Sequence, residues 1–369
     1  AAMDDGEGHG SLLDRMPPAR RGLLGGFGGG RRELGFHFRD LGFQRLEARA
    51  GTSEDDHLAV EFVAADQVEL AEGALLCTQQ SPQEEWGWDV LAQIYHIGTR
   101  DIATNLGELD PQQWSKEYLE YCQGISQEAP EFHTKREGEK LKLPNPDLEL
   151  LKNQNFLEVV KARKTCRSFN GEPVSLEYLS TLLYVSLGPL HDKWQDLEDN
   201  NLMVLGVRKA FPSGGGIHPE EAYVVIFNVE GIKPGVYHYD AEQHSLTVIK
   251  NGEFEKEVIE LLLGQFFAKG LAFGIFLTSR FDKIWWKYPH SRAYRVALLD
   301  IGHASQTILL TATALGLQTW LTGAFYDSKV EEFLEIKTSN EASIFFVGVG
   351  HGDNQSIPPE ILKILQEKS

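Results

Sequence analysis

Cysteine is scarce in this 369-residue sequence: Cys77, Cys122 and Cys166 lie far apart and none forms a CxxC pair. That leaves no thiolate zinc site or disulfide framework, so no metal is expected, and the usage fits a reducing, cytoplasmic compartment. Positive charge is also short, with 35 Lys and Arg against 54 Asp and Glu. The resulting net charge of −19 repels phosphate backbones, which argues against a nucleic-acid partner. Long apolar runs are missing as well. A membrane helix needs roughly 20 residues, and the best candidate, Val296 to Leu317, carries Asp300, His303 and Gln306. No membrane role is therefore expected, and residues 1–30 lack the apolar run of a secretory signal.

What is present is enough apolar content, 42% of residues, to bury a large core. The run Gly25 to Arg32 is costly to order and reads as part of a mobile tail. No strand precedes it and no Lys-Ser/Thr follows, so it is a poor phosphate loop. Leu58–Val63, Val68–Leu70 and Ala74–Leu76 are spaced like strands of a small β element. Trp86 to Ala103 turns helical, with Val90, Leu91, Ile94, Tyr95 and Ile102 on one side. Residues 126–150, with Pro130, Pro144 and Pro146, read as an extended connection.

Further on, helices are expected over Leu157–Lys164, Ser175–Leu187 (capped by Ser175), Glu255–Gly264 and Arg295–Leu315. Buried strands are expected over Tyr223–Val229, Leu271–Thr278, Gln318–Leu321 and Ser343–Val349, and a hairpin over Gly235–Asp240 and Ser245–Ile249. Interleaved helices and strands with hairpins give an α+β class and a mixed sheet flanked by helices.

Three segments carry chemistry. Arg163, Lys164, Thr165, Arg167 and Ser168 put three cations and two hydroxyls at a helix end, a donor set for a phosphate, although such a cluster is also what a solvated surface looks like. Pro212, Ser213, Gly214, Gly215 and Gly216 precede a strand, and the glycines allow close backbone approach to a flat ligand. Thr322, Gly323 and Ala324 form a small-residue turn after another strand, able to set N–H groups against a ring.

In this order and spacing, the three segments resemble the flavin site of the nitroreductase superfamily. Pro234 to Asp240, Lys287-Tyr288, and Tyr294-Arg295 through Asp300 and His303 resemble its SagB-type branch, the thiazole/oxazole dehydrogenases, as does Tyr95-His96 with Thr99-Arg100. The resemblance covers residues 86–352 and implies an FMN-binding nitroreductase-like domain over 86–369, preceded by an extension over 1–85. Arg163, Thr165 and Arg167, with Lys164 beside them, would hold the FMN phosphate and ribityl chain. Pro212, Ser213 and Gly214, next to Gly215, would pack on the isoalloxazine from the second subunit of a homodimer. Gly323 and Ala324, following Thr322, would lie near the flavin N5. Cys166, His218 and Asp300 depart from the branch, which would have a polar or basic residue, a Tyr and a Glu there.

The resemblance implies oxidation of thiazolines or oxazolines in a ribosomally made precursor peptide. Lys287, its pKa lowered by burial beside Trp285, Trp286 and Tyr288, is expected to be the base, Tyr288 to position the ring or relay the proton, and O2 to reoxidise the flavin. The bland alternative makes Lys287 a solvated residue on an aromatic strand, and His303 reads as a core histidine. A cyclodehydratase complex is a candidate partner, and residues 1–85 are a candidate peptide-binding element. Competing readings are an NAD(P)H-dependent nitro- or quinone reductase, an FMN-dependent desaturase of another molecule, and a flavin-free scaffold.

Overall fold

The structure is a computed structural model. It describes residues 90–100, 110–126, 128–131, 134–191 and 208–367, and the backbone alone of 33–36, 46–52 and 58–63. The Gly25–Arg32 run, Cys77 and the strand-like stretches after Val63 lie outside the described residues. Two compact units divide between Ala103 and Thr104.

In the first unit, β1 (Glu33–Phe36), β2 (Leu46–Thr52) and β3 (Leu58–Val63) pair antiparallel in that order. The helix expected from Trp86 onward is α1, Val90–Gly98, closed by Thr99, whose N–H and hydroxyl both donate to the Tyr95 carbonyl.

The second unit is built on seven strands. In chain order they are β4 (Lys140–Lys142), β5 (Glu220–Ile226), β6 (Gly235–Asp240), β7 (Ser245–Asn251), β8 (Phe273–Arg280), β9 (Gln318–Thr322) and β10 (Glu341–Gly350). Their order in space is β4-β7-β6-β5-β8-β10-β9, every pairing antiparallel. The mixture of directions expected from the sequence is confined to isolated parallel bridges, Thr165 to Thr319 and Val174 to Val229.

Alternation along the central strands feeds two cores. Ala222, Val224 and Ile226 of β5 and Ile275 and Leu277 of β8 share one core with α5 (Leu176–Leu187) and the long α8 (Ala293–Ala314). Tyr223, Val225 and Phe276 join the other, with Val258 and Leu261 of α6 (Glu255–Leu261) and Val330 and Phe333 of α9 (Asp327–Phe333). With both faces covered, β5 is buried at every residue, and after Glu220 and Glu221 it runs apolar from Ala222 to Ile226. Ser175 caps α5 as expected, accepting from Tyr178 N–H at 3.2 Å.

A helix absent from the sequence reading is α2, Pro111–Ser126. Trp114, Tyr118, Cys122 and Ile125 recur along one face of it, but only Cys122 is buried. Its start was nevertheless written in Asp110-Pro111: the Asp110 carboxylate accepts from Gln112 and Gln113 N–H, and proline suits the first helical position. Short helices α3 (Glu149–Lys152) and α4 (Phe156–Ala162) follow, α4 capped by Asn155. The last described element is α10, Pro359–Glu367. No helix of the described residues is long and apolar enough to cross a membrane.

Strand register positions the site. Glu220 opposes Ser279, and Glu341 opposes Arg280, so the start of β5, the end of β8 and the start of β10 share one end of the sheet. The glycine loop enters β5 there, and α7 (Phe281–Lys287) leaves β8 there.

Candidate active site

The glycine loop makes one 3-10 turn at Gly214–Gly216, with Gly215 and Gly216 left-handed at φ 64° and 68°. A Cβ on Gly215 would lie 2.3 Å from Tyr288 Oη and 3.0 Å from Lys287 Nζ; one on Gly214 would lie 2.2 Å from Val296 Cγ1 of α8. Two of the three glycines thus admit the protein's own side chains, where the sequence suggested only room for a ligand. Asp300 on α8 ties the loop down: Ser213 Oγ donates to its carboxylate at 2.7 Å and Gly214 N–H at 3.1 Å. Burial pushes the Asp300 carboxyl above its ordinary range, while these two hydrogen bonds pull it down. The departure at residue 300 therefore keeps a carboxylate that anchors the loop.

Lys287 closes α7 and is buried, 1% exposed. Its amine donates to the Gly215 carbonyl at 3.0 Å, and the Tyr118 and Tyr288 rings stand 5.8 and 6.0 Å from it. The solvated-strand alternative fails on both counts, because Lys287 is helical and enclosed. Burial lowers its pKa, as expected, and the rings over the amine are those of Tyr118 and Tyr288. Trp285 is exposed, and the Trp286 indole donates to the Ile125 carbonyl. Tyr121 Oη donates to the Lys287 carbonyl, so α2 is bonded to α7 through two aromatic side chains. Burial raises the Tyr118, Tyr121 and Tyr288 hydroxyls, which keeps them protonated donors. No ion pair reaches Lys287 among the described residues.

The phosphate-type segment follows α4. Arg163 caps the helix, Thr165 bridges to Thr319, and Cys166 N–H donates to the Thr319 carbonyl at 2.8 Å. Cys166 is fully buried with its thiol on the Ser168 carbonyl at 3.2 Å, which explains a small apolar residue inside a polar motif. The Arg167 guanidinium donates to the Ser356 carbonyl and lies over the Phe267 ring at 5.5 Å. Arg163, half-buried, and Lys164, exposed, have no ion pair among the described residues. From Thr319, β9 runs to buried Thr322 and the exposed turn Gly323-Ala324. Thr322 Oγ1 accepts from Ala324 N–H at 3.0 Å, and Gln265 donates to the Ala324 carbonyl at 2.8 Å.

The expected residues thus form two groups. Ser213 to Gly215, Lys287 and Tyr288 converge with Asp300; Arg163 to Arg167 pack along β9, which leads to Thr322, Gly323 and Ala324. His303 is not a core residue: it is exposed on α8, its Nδ1 3.2 Å from the carbonyl of exposed Pro212. Among the described residues, no group of three or more His, Cys, Asp or Glu could hold a metal ion.

Residues 160–351, which contain both groups, match the profile described as the Nitroreductase family. The chain is 30% identical over 200 residues to a protein of Methanocaldococcus jannaschii named as a nitroreductase, covering 54% of this chain and 92% of that one. It is 34% identical over 142 residues to the trifolitoxin-processing protein TfxB of Rhizobium leguminosarum bv. trifolii, covering 37% of this chain and 38% of TfxB. With the microcin B17-processing protein McbC of Escherichia coli it shares 28% identity over 135 residues, covering 35% of this chain and 49% of McbC. The match therefore spans less than two thirds of either processing protein. Its similarity to TfxB and McbC supports the SagB-type branch, and the chain belongs to the nitroreductase family.

Proposed function

We propose that the chain is an FMN-dependent dehydrogenase that converts thiazolines or oxazolines in a ribosomally made peptide to thiazoles or oxazoles. One observation carries this reading: the Lys287 amine is buried, has no carboxylate partner among the described residues, and is held on the Gly215 carbonyl beside Tyr288. A flavin reductase acting on nitro groups or quinones has no use for such a base. An azoline oxidase must remove an acidic Cα proton, and a lysine whose pKa burial lowers offers a lone pair at lower pH than an ordinary lysine does. Tyr288, kept protonated, would donate to the ring or relay the proton.

FMN fits the donor chemistry. Arg163 and Lys164, without an ion pair among the described residues, are cations for a phosphate dianion, Thr165 adds a hydroxyl, and Arg167 braces the segment against Ser356. Pro212, Ser213, Gly214 and Gly215 would pack on the ring system through their turn, and Gly323-Ala324, after buried Thr322, is an exposed small-residue turn. When bound, FMN supplies the two-electron acceptor at N5, with O2 as final oxidant.

The glycine loop of one subunit would meet the phosphate segment of another in a homodimer. Supporting that are the exposed apolar residues of α4 and α8, two helices in contact: Phe156 is 76% exposed and Leu299 55%, with Leu157, Val160 and Leu298 also open. We place the FMN-binding domain over 86–369. Residues 1–85 would take the peptide leader by strand addition, with a cyclodehydratase complex supplying the azoline. The processing roles named for TfxB and McbC support a peptide substrate.

The test is to release and identify the bound chromophore, then assay azoline peptides with the wild type and Lys287→Ala. FMN at about one per chain, and azole formation lost in the variant, is the expected result. A colourless protein that cannot be loaded with FMN would overturn the reading. Because the Methanocaldococcus relative is named as a nitroreductase, NAD(P)H oxidation with nitro and quinone substrates is the parallel assay. Rapid reduction there without azole formation would favour the reductase.

A further inference from the structure

Lys283 and Lys287 lie one turn apart on the same face of α7, and both are buried, 3% and 1% exposed. Both amines end on the same loop: Lys283 donates to the His218 carbonyl at 3.1 Å and Lys287 to the Gly215 carbonyl at 3.0 Å. Their surroundings differ. Lys283 stands 3.7 Å from the Glu221 carboxylate, which also accepts from Thr134 and meets His238 and Arg280. Among the described residues no such carboxylate pairs with Lys287.

The residue that Lys283 grips is itself strained. His218 is left-handed at φ 50° without being glycine, a conformation that persists only where surrounding contacts impose it. Those contacts are present on both its peptide groups, since its N–H donates to Ser213 Oγ at 2.9 Å and its carbonyl accepts from Lys283.

We propose that Lys283 is a positioning residue: set in place by Glu221, it fixes the His218 carbonyl and with it the loop whose Gly215 carbonyl holds the Lys287 amine. The inference rests on the assignment of Lys287 as base. It divides two adjacent buried lysines between two tasks, the carboxylate-paired one holding the loop and the other moving the proton. Asp300 holds the same loop from α8, so the turn is clamped from two helices.

Lys283→Met conserves volume but leaves Glu221 with fewer partners, a stability defect in its own right. The decisive variant is therefore Glu221→Gln/Lys283→Met in the full-length chain, compared with Lys283→Met and wild type. The measurements are thermal stability, amide hydrogen exchange over residues 211–219, and kcat and KM on an azoline peptide. Expected is recovery of stability in the double variant, with loop exchange still faster by about tenfold, the loss of roughly one hydrogen bond. The kcat should stay about 10–100-fold low at unchanged KM, because a base misplaced by about 1 Å is that costly. Unchanged loop protection, or activity returning together with stability, would overturn the proposal. Failure of the base assignment shows separately, as wild-type turnover by Lys287→Ala, and loop exchange then still decides whether Lys283 is the anchor.

Discussion

Gly215→Ala should damage catalysis far more than stability. Residue 215 sits at φ 64°, where a Cβ costs roughly 1–2 kcal/mol. For a domain of this size that lowers Tm by about 2–8 °C. The new Cβ would also lie 2.3 Å from Tyr288 Oη, so the hydroxyl or the loop must move by about 1 Å to reach ordinary contact, and Lys287 Nζ at 3.0 Å must give as well. A shift of that size at the reacting groups costs about 100-fold in rate. Gly316→Ala is the control: φ there is 78°, yet nothing lies within 4 Å of the added Cβ. Gly316→Ala should lose the backbone cost alone and Gly215→Ala at least as much, and only Gly215→Ala should lose turnover, measured on azoline peptide with FMN loading checked by absorbance. Wild-type turnover by Gly215→Ala, or an equal loss in Gly316→Ala, would refute the reasoning.

Gly214→Ala drives a Cβ to 2.2 Å from Val296 Cγ1, so it should destabilise the chain, and Val296→Ala should restore most of the lost Tm. Lys287 must be unprotonated to act as base, so kcat/KM should rise with pH and level off below the ordinary lysine range; a limb at the ordinary lysine value would contradict the burial argument. His244 Nε2 lies 2.8 Å from Ser180 Oγ and its Nδ1 2.9 Å from Tyr239 Oη, and burial lowers its pKa. The unfolded chain then binds the extra proton first. The resulting stability is present above about pH 6.5 and lost as pH falls through the folded value, so denaturation midpoints of His244→Gln should vary less over that window. Leu299→Glu charges the open face of α8 and should shift the chain toward monomer in size-exclusion light scattering, with FMN occupancy falling in parallel.

The sequence by itself determined the elements whose signal is local. The apolar run Ala222–Ile226 within β5 marks a strand covered on both faces, Ser175 announces α5, and the order of Arg163, Gly214 and Gly323 around the strands points to the family. Tertiary structure alone decided what touches Lys287. Tyr121, which bonds its carbonyl, is 166 residues away in sequence, and nothing in the periodicity of α2 names α7 as the element it bonds. Lys283 and Lys287 are indistinguishable as letters one turn apart; Glu221, arriving on a central strand, separates them. Asp300 read as a departure from a family pattern until Ser213 and Gly214 were found on its carboxylate. Periodicity records the side of an element that is buried. It carries no record of the distant partner that buries it, and a buried lysine's charge depends on that partner.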